Sequence, residues 1–525
     1  MKISKNIQFA KCCAAIMLLA SCTGSFEDYN TNPYGVTQEE MRGDNAGAGS
    51  NLQGMIPVLV QGQQNASQMV DQMIGSEYGA HISAIATWGN KGNYYTYNPS
   101  VAWLNDSPFT RIFPQIYTGF FKIKEESGEG SLLYAWAQIL RVAGSLRISD
   151  CYGPIPYSKV TGEKTTVPYD DMEALYNNMF ADLDAAINVM TVASNEADGA
   201  VSMAAFDKVY GADLKKWVKF ANTLKLRMAL RLVNVNESLG KQKAQEAIMG
   251  GLMNSASDAA YSSYNDGMNP YYRSAFTWAQ GKGEMAVSAN LTSYLHGYKD
   301  PRLEKYVQDA ANGKGKIGVR NGIYLNNETA ANYSQFSKPN IQINDKLLVM
   351  SASEAYFLHA EAALRGWVET KDKAKEYYEK GVAVSMEERG AVFTSAYFDG
   401  SSKPEEYKDP LQSSYSHDPV SSISTLYQTT DAFEANLERI LVQKWLANFP
   451  NGWETWVDIR RTGYPKFFPV VKNLNQDGVS SVRGMRRISY PQSEYNTNEV
   501  NVKAAVVMLK GADNAATDLW WAKKN

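Results

Sequence analysis

Apolar residues recur every three or four positions along much of this chain, which is the spacing of one face of an α-helix. Pro168 precedes the clearest such segment, residues 170–190, and Asp170 and Asp171 lie at its start, where acidic side chains interact favourably with the helix dipole. The pattern predicts a helix over 170–190. Its apolar face consists of Met172, Leu175, Tyr176, Met179, Phe180, Leu183, Ile187 and Met190.

The same periodicity predicts further helices over 131–149, 213–233, 351–366, 370–389 and 431–448. Ser351 or Ser353 can cap the start of the helix at 351–366, and Gly366 can end it. Modest connections separate several of these helices, which favours helical hairpins packed side by side. Because no strict repeat of about 34 residues is present, a tetratricopeptide-like array would be degenerate.

Long segments rich in Gly, Asn, Ser and Tyr separate the hairpins: 88–110, 254–283, 311–345 and 391–430. Loops of that length in a compact domain are usually functional or locally folded. Strand patterns are weak along the chain. Short strands are expected only at 317–325 and 341–349.

The N-terminus has the pattern of a secretory signal, with three lysines, no acid and a short apolar stretch. It ends in Leu19-Ala20-Ser21-Cys22, which resembles a bacterial lipobox and implies cleavage before Cys22 and acylation of that residue. The alternative is an ordinary secretory signal followed by an unrelated cysteine. We expect a signal peptide at 1–21, a lipidated tether at 22–50 and a single domain at 51–525.

Charge and cysteine content narrow the function. The chain has 52 basic and 55 acidic residues, and loss of the three lysines in 1–21 leaves 49 against 55, a net charge of −6. This balance gives no electrostatic footprint for nucleic acid. Cys151 would be the remaining thiol after Cys22 is acylated, so no intramolecular disulfide is expected, and Cys151 itself is expected to be a small buried side chain.

Several local motifs occur in the order found in one protein family. They are Asn30-Thr31-Asn32-Pro33, Arg147 to Tyr157 with the sequence RISDCYGPIPY, Trp217 to Arg227 with WVKFANTLKLR, Asp300-Pro301-Arg302, Glu354 with Ala360-Glu361-Ala362, Gln443-Lys444-Trp445, Asn451 to Trp456 with NGWETW, and Asp458 to Pro465 with DIRRTGYP. From Cys22 onward the chain resembles the SusD/RagB family of nutrient-binding outer-membrane lipoproteins.

The resemblance implies a mostly α fold, in which about four degenerate tetratricopeptide-like helix pairs form a scaffold and long loops form a ligand-binding face. It also implies a partner, a SusC-like TonB-dependent outer-membrane barrel. The membrane would be contacted through the N-terminal lipid, and the protein would face the cell exterior.

The charged motifs have a simpler explanation than a ligand site. Arg460 and Arg461 lie close to Asp458 and Glu454, and ion pairs within and between helices are expected there. The pair Arg227 and Arg231, one helical turn apart, is interpreted in the same way.

No catalytic or metal-binding motif was found in the sequence. The four histidines show no metal-ligand spacing, and no G-x-S-x-G motif is present. Acidic candidates such as Glu454 and Asp458 are explained by helix starts and ion pairs, so a glycoside hydrolase is a weaker alternative. We therefore expect a protein that is not an enzyme and uses no cofactor.

Aromatic residues among Asn and Gly are the best candidates for ligand contact. Aromatic planes match the C–H faces of sugar rings, and polar side chains match the hydroxyls, although a peptide would use the same groups. We expect a nutrient oligomer, a glycan oligosaccharide more than a peptide, to bind at two clusters. The candidate residues are Trp88, Tyr94, Tyr95, Tyr97 and Trp103 in the first cluster and Tyr271, Tyr272 and Trp278 in the second.

Overall fold

A computed structural model provides the fold of the chain. The described residues are 46–86, 93–164, 166–196, 201–264 and 267–523. Ser50–Asn525 form one compact unit, and only residues 46–49 of the preceding unit, Met1–Gly49, are described. The predicted lipobox at Cys22 and the candidate ligand residue Trp88 lie outside the described residues.

The fold is mostly helical. The helices are α1 (Ala46–Met55), α2 (Gln64–Ser67, continued by a π-helix at Gln68–Ser76), α3 (Val101–Asn105), α4 (Pro108–Ser127), α5 (Leu132–Tyr152), α6 (Met172–Ala193), α7 (Leu214–Arg231), α8 (Glu237–Met249), α9 (Pro270–Phe276), α10 (Ala289–Gly297), α11 (Leu303–Tyr306), α12 (Asn327–Tyr333), α13 (Ala352–Leu364), α14 (Lys373–Glu388), α15 (Phe433–Ala447), α16 (Trp453–Thr462), α17 (Gln492–Thr497) and α18 (Glu499–Met508). Among the described residues, no helix is both long and apolar enough to cross a bilayer.

The periodic segments of the sequence are confirmed as helices, and their ends follow from local capping. Ser131 Oγ accepts the Tyr134 N–H at the start of α5, and Asp171 Oδ1 accepts the Ala174 N–H at the start of α6. Ser351, rather than Ser353, caps α13. These caps satisfy backbone donors that a first helical turn leaves unpaired.

Consecutive helices pack as pairs, α4 with α5, α7 with α8, α13 with α14, and α15 with α16. This arrangement confirms the predicted scaffold of tetratricopeptide-like helix pairs. Trp136 of α5 and Trp217 of α7 meet edge to face within the larger core, with ring centroids 5.4 Å apart. A second core lies around α13, α14 and α15 and includes the buried Trp445.

Strands are short and form two antiparallel pairs. β1 (Ile82–Ala84) pairs with β3 (Met285–Val287), and β2 (Ala260–Ser262) pairs with β4 (Leu347–Met350). The prediction at 341–349 is thus confirmed only at its end.

The predicted strand at 317–325 is wrong. Within it, Val319 makes a single parallel bridge to Ser288. Gly322 has a φ of +72°, a left-handed conformation that interrupts an extended strand. The apolar residues of this segment instead fill a small core together with Tyr333 and Phe336.

The charged motifs form a buried network that joins the helix pairs. Arg227 donates two hydrogen bonds to Glu354, at 2.9 and 2.8 Å, and Arg231 binds both Asp150 and Glu454, at 2.8 and 2.9 Å. These contacts connect α5, α7, α13 and α16. The prediction that Arg227 and Arg231 form interhelical ion pairs is confirmed.

Arg461 and Arg460 differ from each other. Arg461 pairs with Asp458 and Glu361, as predicted for this motif. Arg460 has no carboxylate partner among the described residues, so the ion-pair prediction is wrong for it. Its guanidinium lies over the ring of Trp456, 3.5 Å from the centroid, and donates to the carbonyl of Asp150 at 2.5 Å. Arg460 and Arg461 have different partners because consecutive side chains of a helix point in different directions.

Candidate functional site

A cavity of about 380 Å³ lies between the loop 93–98, α16 and the segment 463–486. This volume falls within the range of ligand sites in proteins, about 300–1,000 Å³. Its wall combines aromatic rings with cationic side chains, and we call it the Tyr97 cavity. The residues that carry its chemistry are Tyr78, Tyr97, Trp456, Phe467, Phe468, His417, Arg460, Lys466, Arg483, Arg486 and Lys523.

Tyr97 reaches this cavity because of a tight turn. Its backbone has a φ of +62°, and its N–H donates to the carbonyl of Tyr94 at 3.1 Å. Asn93 holds the turn, since its Oδ1 accepts the N–H and the hydroxyl of Thr96 at 2.9 and 2.8 Å. An Asn side chain that binds backbone two or three residues ahead is a common way to stabilise such a turn.

The Tyr97 ring belongs to a chain of aromatic contacts. It meets Tyr78 edge to face, with centroids 5.9 Å apart, and Tyr78 in turn lies 5.2 Å from Trp456. Among the described residues the Tyr97 hydroxyl has no hydrogen-bond partner, whereas the Tyr78 hydroxyl donates to the carbonyl of Tyr94 at 3.2 Å. Burial raises the pKa of Tyr97, so the hydroxyl stays protonated and can donate to a ligand.

The opposite wall is tied to the same loop. The N–H of Leu474 donates to the carbonyl of Thr96 at 2.9 Å, and the Asn475 side chain donates to the carbonyl of Tyr97 at 2.9 Å. A Cβ on Gly484 would lie 3.3 Å from the Tyr97 hydroxyl. The segment 466–485 therefore holds Tyr97 in place, and the two come together only in the folded chain.

The positive charge in the wall comes from five side chains: Arg460, Lys466, Arg483, Arg486 and Lys523. No Asp or Glu occurs among the described residues that line the cavity. Burial lowers the pKa of Arg460 to about 9, which still leaves the guanidinium charged at neutral pH. The site can stack on rings and attract negative charge, and it has no pair of carboxylates for acid–base chemistry at its wall.

The other candidates from the first aromatic cluster support the cavity or lie away from it. Tyr94 is fully buried, packs 6.4 Å from Tyr78 and donates its hydroxyl to the carbonyl of Trp103 at 3.0 Å. Trp103 is half-buried on α3, 5.6 Å from Tyr94. Tyr95 is buried on the other side of the turn, where its hydroxyl donates to the carbonyl of Ala86.

The second aromatic cluster is not brought to the Tyr97 cavity. Tyr271 is buried and shares a 2.8 Å hydrogen bond with the hydroxyl of Ser76. It lines another cavity, of about 330 Å³, beside β4 and α11. Tyr272 is half-buried against Phe276, with centroids 4.8 Å apart, and Trp278 is half-buried near the end of α9.

The sequence analysis did not identify most of the cationic residues of the Tyr97 cavity, nor the rings of Phe467 and Phe468. Phe467 and Phe468 follow the recognised DIRRTGYP motif after Lys466, and this pair of adjacent aromatic residues is a signal that could have been used. Arg483 and Arg486 carried no motif. Trp456 was recognised only as part of a structural helix.

The free thiol and the buried His81 have ordinary surroundings. Cys151 is fully buried, as predicted, and burial raises the pKa of its thiol. His81 is buried against Trp445, where burial lowers its pKa to about 4. Within the described part of the chain, no group of three or more His, Cys, Asp or Glu could hold a metal ion.

Comparison with known proteins shows where the chain belongs. The family model described as Susd and RagB outer membrane lipoprotein matches residues 28–522. A SusD-like protein from Bacteroides thetaiotaomicron is 37% identical with a TM-score of 0.85, over 91% of this chain and 99% of that one. A SusD homologue from Bacteroides uniformis is 35% identical with a TM-score of 0.84, over 91% and 99%.

A chitin-binding SusD homologue from Flavobacterium johnsoniae is 32% identical with a TM-score of 0.82, over 92% of this chain and 99% of that one. No curated protein sequence matches the chain significantly. The family model covers nearly the whole chain, and the helix pairs, the buried charged motifs and the solved relatives agree with it. The chain belongs to the SusD-like family of outer-membrane lipoproteins.

Proposed function

We propose that this protein is a surface-exposed lipoprotein of the outer membrane that binds a nutrient oligomer and delivers it to a SusC-like TonB-dependent transporter. A glycan oligosaccharide is the favoured ligand. The Tyr97 cavity is the site that we assign to the ligand. The anchor would be Cys22 after removal of residues 1–21, with 22–50 as the tether.

The observation that carries this proposal is the open, aromatic-walled cavity at the loop 93–98. This loop belongs to the segment in which ligand contact was expected from the sequence. Tyr97 offers a ring and a hydroxyl without an internal partner among the described residues, and Phe467 offers a second half-buried ring. Rings of this kind bind sugar faces, and the hydroxyl can serve a sugar hydroxyl.

A glycan is favoured over a peptide because a relative that is 32% identical along nearly its whole length binds chitin. Binding without cleavage is favoured over hydrolysis because glycosidases use two carboxylates across the sugar. The described wall of the cavity supplies rings and cations instead.

Electrophoresis through gels that contain a polysaccharide tests this function. The protein should migrate more slowly in the presence of a bound glycan, and no reducing ends should appear after long incubation. Release of reducing ends would identify a hydrolase. Retardation by peptide mixtures and by no glycan would identify the peptide-binding version.

The transporter is tested separately, since ligand binding does not depend on it. A lid that works on a barrel should bury about 2,000 Å² or more, as permanent assemblies do. Gentle detergent extraction and affinity purification should therefore recover a stable complex with a TonB-dependent barrel. Recovery of this chain alone, under conditions that preserve other such pairs, would contradict the delivery role.

A further inference from the structure

The charges around the Tyr97 cavity do not balance. Among the described residues, five cationic side chains line it, and the carboxylates that pair with them are Asp518 and Glu438. Asp518 is shared by Arg483 at 3.0 Å and Arg486 at 2.5 Å, and Glu438 binds Lys466 at 3.3 Å. Among the described residues, two acids against five cations leave an excess of three positive charges, with His417 counted as neutral.

Lys523 contributes an exposed cation whose hydrogen-bond partners among the described residues are backbone carbonyls. Its Nζ lies 3.4 Å from the carbonyl of Thr462, and its own N–H donates to the carbonyl of Arg460 at 2.9 Å. No described carboxylate lies within ion-pair distance of its ammonium group. The Arg483 side chain is 34% exposed, so both cations can reach a molecule in the cavity.

Arg460 places a further positive charge inside the wall. It is fully buried between the rings of Trp456 and Trp521, at 3.5 and 4.9 Å from their centroids, and its Nη2 has no hydrogen-bond partner in the described structure. A buried cation without a carboxylate is costly and acts over a longer distance than an exposed one, since little water screens it. An anion in the cavity would stabilise it.

This local charge stands against a chain whose net charge is −3. A positive cavity in an acidic protein cannot follow from composition, and the rings beside the cations favour a ligand that has an apolar face as well as negative charge. We propose that the Tyr97 cavity binds an acidic oligosaccharide, whose sugar ring packs on the aromatic wall and whose carboxylate or sulfate groups pair with Arg483 and Lys523. This inference rests on the proposed glycan-binding function and narrows it.

Isothermal titration calorimetry of the full protein with three hexasaccharides tests the inference. The ligands are a galacturonic acid hexamer, which carries carboxylates, a κ-carrageenan hexamer, which carries sulfates, and chitohexaose, which is neutral. At least one acidic hexamer should bind at least tenfold more tightly than chitohexaose. The two acidic ligands show whether carboxylate or sulfate is the preferred group.

Charge-removing variants locate the site. Arg483→Gln and Lys523→Gln should each weaken binding of the acidic hexamer on the order of tenfold, the scale of a lost charge-assisted hydrogen bond. Lys503→Gln, which removes the same charge from an exposed pair on α18, is the matched control and should leave the affinity unchanged. Thermal unfolding should be similar for all three variants, and Arg483→Lys should recover part of the affinity.

Preferential binding of chitohexaose would overturn the acidic ligand and leave the glycan-binding function intact. Equal losses in Lys503→Gln and Arg483→Gln would also overturn it, because they would show a general charge effect. Absence of binding to every glycan, with binding of acidic peptides, would overturn both this inference and the proposed function.

Discussion

Arg461 and Glu361 face each other as a buried bidentate pair, with two hydrogen bonds of 2.5 and 2.7 Å between residues 100 positions apart in the sequence. Arg461 lies on α16 and Glu361 on α13, so the pair joins two of the helix pairs of the scaffold. Both side chains also have second partners, Asp458 and Arg365.

Arg461→Met should destabilise the protein by about 3–5 kcal/mol, because it leaves the Glu361 carboxylate buried without its main partner. Urea unfolding measures this loss. The double variant Arg461→Met with Glu361→Leu should recover much of it, since an apolar pair removes both charges at once. Equal destabilisation in the single and double variants would show that the loss does not come from leaving the buried Glu361 carboxylate without its partner.

Acid should weaken the fold through Glu361. Burial alone would raise the pKa of this carboxyl, but Arg461 and Arg365 lower it to about 2, below its usual value of 4.5. A lowered folded pKa gives stability that is complete above pH 4.5 and is lost as the pH falls toward 2. The urea midpoint should drop over that window, and Glu361→Gln should show a smaller drop. Parallel pH curves for the two proteins would contradict this assignment.

Gly79 lies so close to Gly452 that a side chain at position 79 should not be tolerated. A Cβ on Gly79 would lie 2.4 Å from the carbonyl oxygen of Gly452. Gly79→Ala is therefore expected to cost about 1–3 kcal/mol, the range of overpacked sites. Gly54→Ala is the matched control, since Gly54 lies in α1 with nothing within 4 Å of its Cβ position, and it should stabilise by about 0.5–1 kcal/mol. Thermal midpoints distinguish the two.

Tyr97 should matter for ligand binding through its ring. Tyr97→Ala is expected to weaken glycan binding by about 1–2 kcal/mol, which is roughly a 5- to 30-fold rise in Kd. Tyr97→Phe keeps the ring and should retain most of the affinity.

Trp103→Ala is the comparison for Tyr97→Ala. Because Trp103 packs on the buried Tyr94, this variant should lower the thermal midpoint while its affinity for the glycan stays near normal. Loss of affinity in Trp103→Ala and none in Tyr97→Ala would move the site away from the Tyr97 cavity. Ligand contact by Trp88, Tyr94, Tyr95, Tyr271, Tyr272 and Trp278 stays a prediction, as does the contact by Trp103 that was expected from the sequence. Alanine variants of each, measured in the same two assays, would test it.

The lipid anchor is tested at Cys22. Two or three acyl chains on this residue should hold the protein on the membrane, since one chain gives only marginal binding. Cys22→Ala should therefore leave the protein soluble or unprocessed when cells are fractionated without a barrel partner. Cofractionation of Cys22→Ala with outer membranes under that condition would contradict the lipobox interpretation. Protease treatment of intact cells would show whether the protein faces the exterior.

The sequence by itself determined the helical scaffold of this protein. Apolar spacing located α6 at 170–190, where the helix covers Met172–Ala193, because periodicity and capping are local properties. Arg227 and Arg231 were correctly interpreted as structural ion-pair residues, because a charged residue that becomes buried needs a partner. The failed strand at 317–325 shows the limit of this reasoning, since pairing depends on neighbours that are distant in sequence.

Only the tertiary structure shows which residues form the Tyr97 cavity. Tyr94, Tyr95 and Tyr97 are equivalent in composition, yet the turn held by Asn93 directs one of them into the cavity and the other two into the interior. Arg460 and Arg483 come to line the cavity because the segment 463–486 packs against the loop 93–98, more than 350 residues earlier. A binding wall assembled from such distant segments has no local pattern in the sequence, because its geometry is set by long-range packing.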